Sequence, residues 1–210
     1  GLFLWCQIMA AQAQPDPFPQ AAKAYLVEVD GAPIWEHRPN DRLSPASLTK
    51  LMTALLVLEQ GQLQEVASVS LASTLETGSR IALKAGERFR VQDLLAATMI
   101  ASSNDACHAL ADHLNGSEAG FVARMNRRAK ELGMRDTHFA NACGHDATQH
   151  YSSAHDLARL AHELLKYPSL LEITSQKNLQ IATLDGKKLY TLANKNALIG
   201  RYDGALGLKT

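Results

Sequence analysis

Ser47 and Lys50 stand three apart in Ser47-Leu48-Thr49-Lys50. A serine hydroxyl is a poor nucleophile until a neighbouring group takes its proton. On a helix, a residue three positions on lies on the same face one turn away, so the Lys50 amine can approach Ser47 Oγ. Leu48, Leu51 and Met52 surround that amine with apolar groups, and a second cation such as Lys209 would disfavour the ammonium further. A depressed pKa would make Lys50 a base. The positive end of the helix favours the alkoxide developing at Ser47. Ser102-Ser103-Asn104 breaks a later helical pattern. There, Ser102 can relay a proton to a leaving group, while Asn104 can hold a substrate peptide carbonyl and orient Lys50. Lys209 and Thr210, read as part of an edge strand, suit a terminal carboxylate with one charge and one hydroxyl donor. An extended peptide laid along that edge would gain main-chain hydrogen bonds. The candidate catalytic residues are therefore Ser47, Lys50 and Ser102, and the candidate substrate-binding residues are Asn104, Lys209 and Thr210. The plain alternative makes Ser47 a helix N-cap and Lys50 a solvated lysine. The fixed order of three motifs favours the chemical reading.

Other motifs fail on their spacing. His162-Glu163 opens an H-E-x-x-H pattern, but its fifth residue is Lys166, which excludes a zinc-protease helix. Cys143-Gly144-His145 is too cramped to give one zinc two ligands and has no partner pair. Gly204 to Thr210 resembles a phosphate loop only until Leu208 separates Gly207 from Lys209. Gly144 is followed by His145, so a nucleophile elbow is absent. The helical run from Phe121 to Leu132 carries Arg124, Arg127, Arg128 and Lys130 mostly on one side, as a solvated basic face does.

The positioning elements follow from periodicity. Ala24 to Val29 alternates, turns at Asp30-Gly31 and returns through Ile34 to His37, which predicts a hairpin. Leu48, Leu51, Met52, Leu55 and Leu58 recur at helical spacing up to Gly61, a core helix. Ile81 to Phe89 holds short strand-like pieces. Helices are predicted over 91–100, 105–114, 121–132 and, last, 155–167. Asn178 to Leu192 pivots on Asp185-Gly186 as a second hairpin. Strands, then many helices, then strands make an α+β pattern, with a helical block inserted between two parts of one antiparallel sheet.

The 210 residues suit one domain and can bury a sizeable core. Lys and Arg number 21 and Asp and Glu also 21, so the chain lacks the basic excess that a nucleic-acid protein needs. With 46% hydrophobic and 20% charged residues, the composition is not that of a disordered chain. Gly1 to Ala13 is a short apolar run closing in Ala11-Gln12-Ala13, a pattern that suits the remnant of an export signal; a buried N-terminal helix is the alternative. Pro15, Pro17 and Pro19 then mark a linker over 14–21. Removal of the signal would take Cys6 and leave Cys107 and Cys143, either as one disulfide or as two buried thiols.

Taken together, Pro45 to Ala54, Ser102 to Cys107, Met125 to Phe139, Tyr151 to Ala158 and Asp203 to Thr210 resemble a low-molecular-mass penicillin-binding protein, a serine-type D-alanyl-D-alanine carboxypeptidase of peptidase family S11. The likeness runs from about Ala22 to the last residue. It implies a β-lactamase/transpeptidase-like fold with its C-terminal strands missing and residues 22–210 as an incomplete catalytic domain. It also implies that Ser47 is acylated by peptidoglycan stem peptides ending in D-Ala-D-Ala, with release of D-alanine and hydrolysis of the acyl-enzyme. β-Lactams would act as suicide analogues. No metal or organic cofactor is implied. The resemblance points to an exported protein of the bacterial periplasm or cell envelope, with inner-membrane association only through a further C-terminal segment.

Three positions depart from the family. Ser103 stands where Gly or Asp is frequent, Cys143 is unexpected in its loop, and the third motif ends at Thr210 without its Gly. The strand carrying Lys209 would then be a frayed end. A D,D-endopeptidase shares the motifs, and an inactive fragment or penicillin-binding scaffold is the non-catalytic alternative. A class A β-lactamase needs a carboxylate base before the last strand, and no glutamate lies between Asn141 and His162.

Overall fold

The computed structural model describes residues 15–17 and 19–210. The expected signal remnant over 1–13 therefore lies outside the described residues. Strands β1 (Tyr25–Val29) and β2 (Ala32–His37) form the first hairpin, closed by Asp30 and Gly31 with φ of +51° and +76°. Two successive left-handed residues match the twist of the strands, which is why Asp-Gly suits this turn.

A 3-10 turn, Ala46–Thr49, runs into α1 (Lys50–Gln60), which stops at the left-handed Gly61. Every residue of α1 from Lys50 to Leu58 is buried. The apolar stripe is thus a whole buried helix, packed among α3 (Val91–Ile100), α4 (Asn104–Asn115), α5 (Glu118–Glu131) and α6 (Ala154–Leu164). Phe89, Phe121, Phe139 and Met125 are fully buried in the same core. Such dense packing holds the start of α1 where it is.

Between α1 and α3 lie β3 (Val66–Ser68), α2 (Leu71–Thr74) and β4 (Arg88–Arg90). β3 pairs antiparallel with β4. After α6 come α7 (Pro168–Thr174) and the second hairpin, β5 (Asn178–Ala182) with β6 (Leu189–Ala193). The α+β class stands, and its named strands are spread over three two-stranded antiparallel sheets.

Several local expectations change. The helix predicted over 121–132 begins earlier, because the Ser117 side chain accepts from Gly120 N and caps it. The helix predicted over 155–167 ends at Leu164, and α7 follows with Pro168 in its first turn. Proline suits that position, where its missing N–H would be unpaired in any case. Residues 205–210 are not in a strand, so Lys209 and Thr210 do not sit on the expected edge strand. Gly204 and Gly207 take φ of +83° and +126°, which breaks extended geometry. The segment is tied sideways to α7 instead, through Thr174 Oγ1 donating to the Leu206 carbonyl at 2.5 Å.

Candidate active site

Ser47 lies in the 3-10 turn just before α1, after Ala46 with φ of +46°. Ser102 occupies the break between α3 and α4, also left-handed, at +57°. Non-glycine residues hold such conformations at a cost of about 1–3 kcal/mol, and only where their surroundings over-determine them. The result is contact across 55 positions of sequence: Ser102 Oγ donates to Ser47 Oγ at 3.0 Å.

Lys50 is fully buried. Its Nζ donates to Asn104 Oδ1 at 2.7 Å and to the Cys143 carbonyl at 2.5 Å. Burial pushes its pKa down to about 7; the Lys209 charge acts the same way, Glu76 opposes it and Lys195 adds to the lowering. Apolar surroundings and Lys209, both expected to depress this amine, each contribute. Asn104, expected to orient Lys50, is hydrogen-bonded to it. Its Nδ2 donates to the Thr77 carbonyl at 2.6 Å, and its backbone N donates to the Ser79 carbonyl at 2.7 Å.

Lys209 is half-buried, and its pKa falls to about 8 through burial and then through Lys195. It is close enough to act on Lys50 even though it is not on a strand. Thr210 is exposed, and its backbone oxygen accepts from Lys209 Nζ. Among the described residues, the structure thus pairs Ser102 with Ser47 and Lys50 with Asn104 by hydrogen bonds, with the Lys209 charge acting on Lys50.

Three further features were not read from the sequence, and a fourth was left open there. The loop 141–146 supplies the Cys143 carbonyl to Lys50. It is folded by Asn141 Oδ1, which accepts from Gly144 N at 2.7 Å and His145 N at 3.0 Å, and is fastened to α1 by Thr53 Oγ1 donating to the Ala142 carbonyl at 2.7 Å. Asp105, buried in α4, accepts from Ile81 N and Leu83 N and so holds the neighbouring wall. Cys107 and Cys143, left open above, form a disulfide with their Cα atoms 5.9 Å apart. Lys195 reaches Ser79 Oγ at 2.6 Å and adds positive charge beside Lys50 and Lys209.

His150 supports the turn from below. Ala140 N donates to its Nδ1 at 2.9 Å, so the neutral ring carries its proton on Nε2 and presents it to Thr49 Oγ1 at 2.7 Å. Burial first, then the nearby His138, holds its pKa low, consistent with that neutral form. Among the described residues, no three His, Cys, Asp or Glu side chains are grouped to hold a metal ion.

A serine with a hydroxyl partner and a buried, pKa-lowered lysine is the arrangement that serine–lysine acyl transfer uses. The chain belongs to the D-alanyl-D-alanine carboxypeptidase family, peptidase S11, whose profile matches residues 9–210. It is 41% identical over 197 residues to the D-alanyl-D-alanine carboxypeptidase DacF of Bacillus subtilis, covering 91% of this chain and 50% of that protein. It is 34% identical over 181 residues to DacC of Escherichia coli K12, covering 78% of this chain and 44% of that protein. The chain therefore spans about half the length of the curated relatives it matches. The fold is similar to that of the Streptomyces K15 DD-transpeptidase, with a TM-score of 0.78 at 29% identity over 86% of this chain and 75% of that one. It also resembles a D-alanyl-D-alanine carboxypeptidase from Mycobacterium tuberculosis H37Rv, with a TM-score of 0.81 at 28% identity over 89% and 71% of the two chains.

Proposed function

We propose that the protein is a serine D,D-carboxypeptidase of the bacterial cell envelope that removes the terminal D-alanine from peptidoglycan stem peptides and is acylated by β-lactams. Residues 22–210 are its catalytic-domain portion in this reading, and residues 1–13 the mark of its export. The observation that carries the reading is the pairing of Ser102 with Ser47 beside a buried Lys50 whose pKa lies near 7.

The chemistry balances through these groups. Ser47 Oγ attacks the carbonyl between the two D-alanines, and its proton passes to the free amine of Lys50. The tetrahedral intermediate collapses with cleavage of the C–N bond. Ser102, in contact with Ser47, hands its proton to the departing amine and takes the Lys50 proton in its place, so D-alanine leaves neutral at nitrogen, Lys50 is a free amine again and the stem peptide remains as an ester on Ser47. Water then adds to the ester while Lys50 takes one of its protons. Collapse returns that proton to Ser47 and frees the shortened peptide. Lys209 supplies the positive charge that meets the terminal carboxylate, with Thr210 as the expected hydroxyl donor. In this reading Asn104 keeps Lys50 aimed, and its amide would also meet the peptide carbonyl.

Labelled penicillin on the 210-residue chain tests the acylation step. Label that Ser47→Ala abolishes supports the reading, whereas no label on the wild-type chain, or equal label on the variant, overturns it. Released D-alanine from a stem pentapeptide supports carboxypeptidase action. Cleavage of a cross-linked dimer without that release would assign the chain to the endopeptidases.

A further inference from the structure

Glu76 lies in the connection after α2, outside every motif. Its two carboxylate oxygens are held by two imidazoles from distant parts of the chain: His108 Nδ1 at 2.6 Å from Oε1 and His145 Nε2 at 2.5 Å from Oε2. His108 belongs to α4, the helix that opens with Asn104. His145 belongs to the loop whose Cys143 carbonyl accepts from Lys50. One residue further along, the Thr77 carbonyl accepts from Asn104 Nδ2. The two segments that give Lys50 its acceptors and a third that holds Asn104 therefore meet at a single carboxylate. The groups facing the Glu76 carboxylate are His108 on α4 and His145 on the loop, with the Lys50 charge acting on it from α1; Asp112 sits on the far side of the His108 ring, and Arg80 donates to the Glu76 backbone carbonyl.

We propose that Glu76 is a positioning residue: bridging His108 and His145, it fixes the two acceptors of Lys50, Asn104 Oδ1 and the Cys143 carbonyl, relative to one another. The inference rests on the acylation reading only for its rate, not for its geometry. A helix from one side and a loop from the other must present oxygens to one ammonium, and small errors in such placement cost large factors in rate. The bridge also has an electrostatic side. Burial disfavours the Glu76 carboxylate, but the hydrogen bonds from His108 and His145 outweigh this and keep it ionised. Its negative charge in turn favours the Lys50 ammonium, against Lys209 and Lys195.

Two variants of the full chain separate positioning from simple structural support. Glu76→Gln keeps a polar bridge of the same length without the charge, and Glu76→Ala removes both. The Lys50 titration is followed by carbon NMR at Cε in lysine-labelled protein, its signal assigned by its absence in Lys50→Arg. We expect the Lys50 midpoint to fall by roughly half a pH unit in Glu76→Gln. Acylation by labelled penicillin, measured above that midpoint, should slow at least roughly tenfold in Glu76→Ala and recover most of the loss in Glu76→Gln. An unmoved Lys50 midpoint in Glu76→Gln, or wild-type acylation by Glu76→Ala, overturns the inference. If Glu76→Ala does not fold, the Glu76→Gln titration alone decides. If the wild-type chain takes no label, the functional reading falls, while the titration still decides the role of Glu76.

Discussion

Gly144 packs against Ala46 so closely that a β-carbon on it would overlap the Ala46 carbonyl and stand 3.1 Å from Ser47 N. This contact joins the loop that presents a carbonyl to Lys50 with the turn that presents Ser47. It accounts for the left-handed Ala46 at +46°, which sits against that glycine. The acceptor of the lysine and the backbone of the serine are thus set by one close approach. Gly144 itself has φ of +94°, open to glycine and strained for any other residue.

Gly144→Ala is therefore expected to harm both stability and chemistry. The new methyl group meets rigid backbone, so the loop or the Ser47 turn must shift, at a cost of about 2–4 kcal/mol. Thermal unfolding should show the loss. At a temperature where the variant is still folded, its acylation by labelled penicillin should be at least roughly tenfold slower. Equal rates and equal melting would mean that the contact does not hold the turn.

Ser102→Ala tests the 3.0 Å contact with Ser47. Alanine keeps the backbone conformation accessible to a small side chain and removes only the hydroxyl. The lost proton relay should slow release of D-alanine by roughly 10²–10⁴-fold, the usual worth of a placed acid or base. Melting should change little, because no other described bond of Ser102 Oγ is broken. A D-alanine release assay beside a calorimetric scan distinguishes this from unfolding.

Much of the site was readable because its parts are local. Ser47 and Lys50 are one turn apart, Ser102 and Asn104 flank a helix break, and each pair is written in a few adjacent letters. What reaches them from afar was not readable. The Cys143 carbonyl meets Lys50 across 93 positions, and a backbone oxygen has no side chain to advertise it. Glu76 reaches His145 across 69 positions, with no spacing rule to join them. In the fold, the long stripes of α1 and α3 and the two Asp-Gly hairpins followed from periodicity and turn chemistry. β3 has only three residues and α2 only four, too few for any period to show. α7 was hidden because Pro168 reads as a stop unless it falls in the first turn. Lys209 acts on Lys50 as expected but does not lie on the expected strand, because ladder pairing depends on neighbours that a local pattern does not contain.

The Cys107–Cys143 bond closes a loop of 36 positions, from α4 to the residue whose carbonyl holds Lys50. A cross-link of that span constrains the unfolded chain by about 4 kcal/mol in the chain-entropy account. Cys107→Ser should lower the melting temperature accordingly. The double variant with Cys143→Ser should be no worse than the sum of the two single losses and close to either one, because both remove the same bond. Melting of the three variants under non-reducing conditions checks this, and equal stability of all three with the wild type would show that the bond contributes nothing.

The pH dependence follows from two lysines with opposite requirements. In the proposed reaction Lys50 must be a free amine to take the Ser47 proton, and its pKa lies near 7, so activity should rise as pH increases through about 7. Lys209 must be charged to meet a carboxylate, and its pKa lies near 8, so activity should fall as pH increases through about 8. The two charges act on each other, so the limbs belong to the coupled pair. Release of D-alanine at low substrate should trace a narrow bell with its top between those limbs. Acylation by a neutral ester should keep the lower limb and lose the upper one, because Lys209 then has no anion to bind. Stability carries its own signature. Lys50 holds its proton less tightly when folded than when unfolded, so unfolding takes up a proton above about pH 7. Its contribution should make stability rise with pH from there toward the ordinary lysine range. Lys50→Met should flatten that rise and abolish activity at every pH; a variant that kept the lower limb would remove Lys50 as the base.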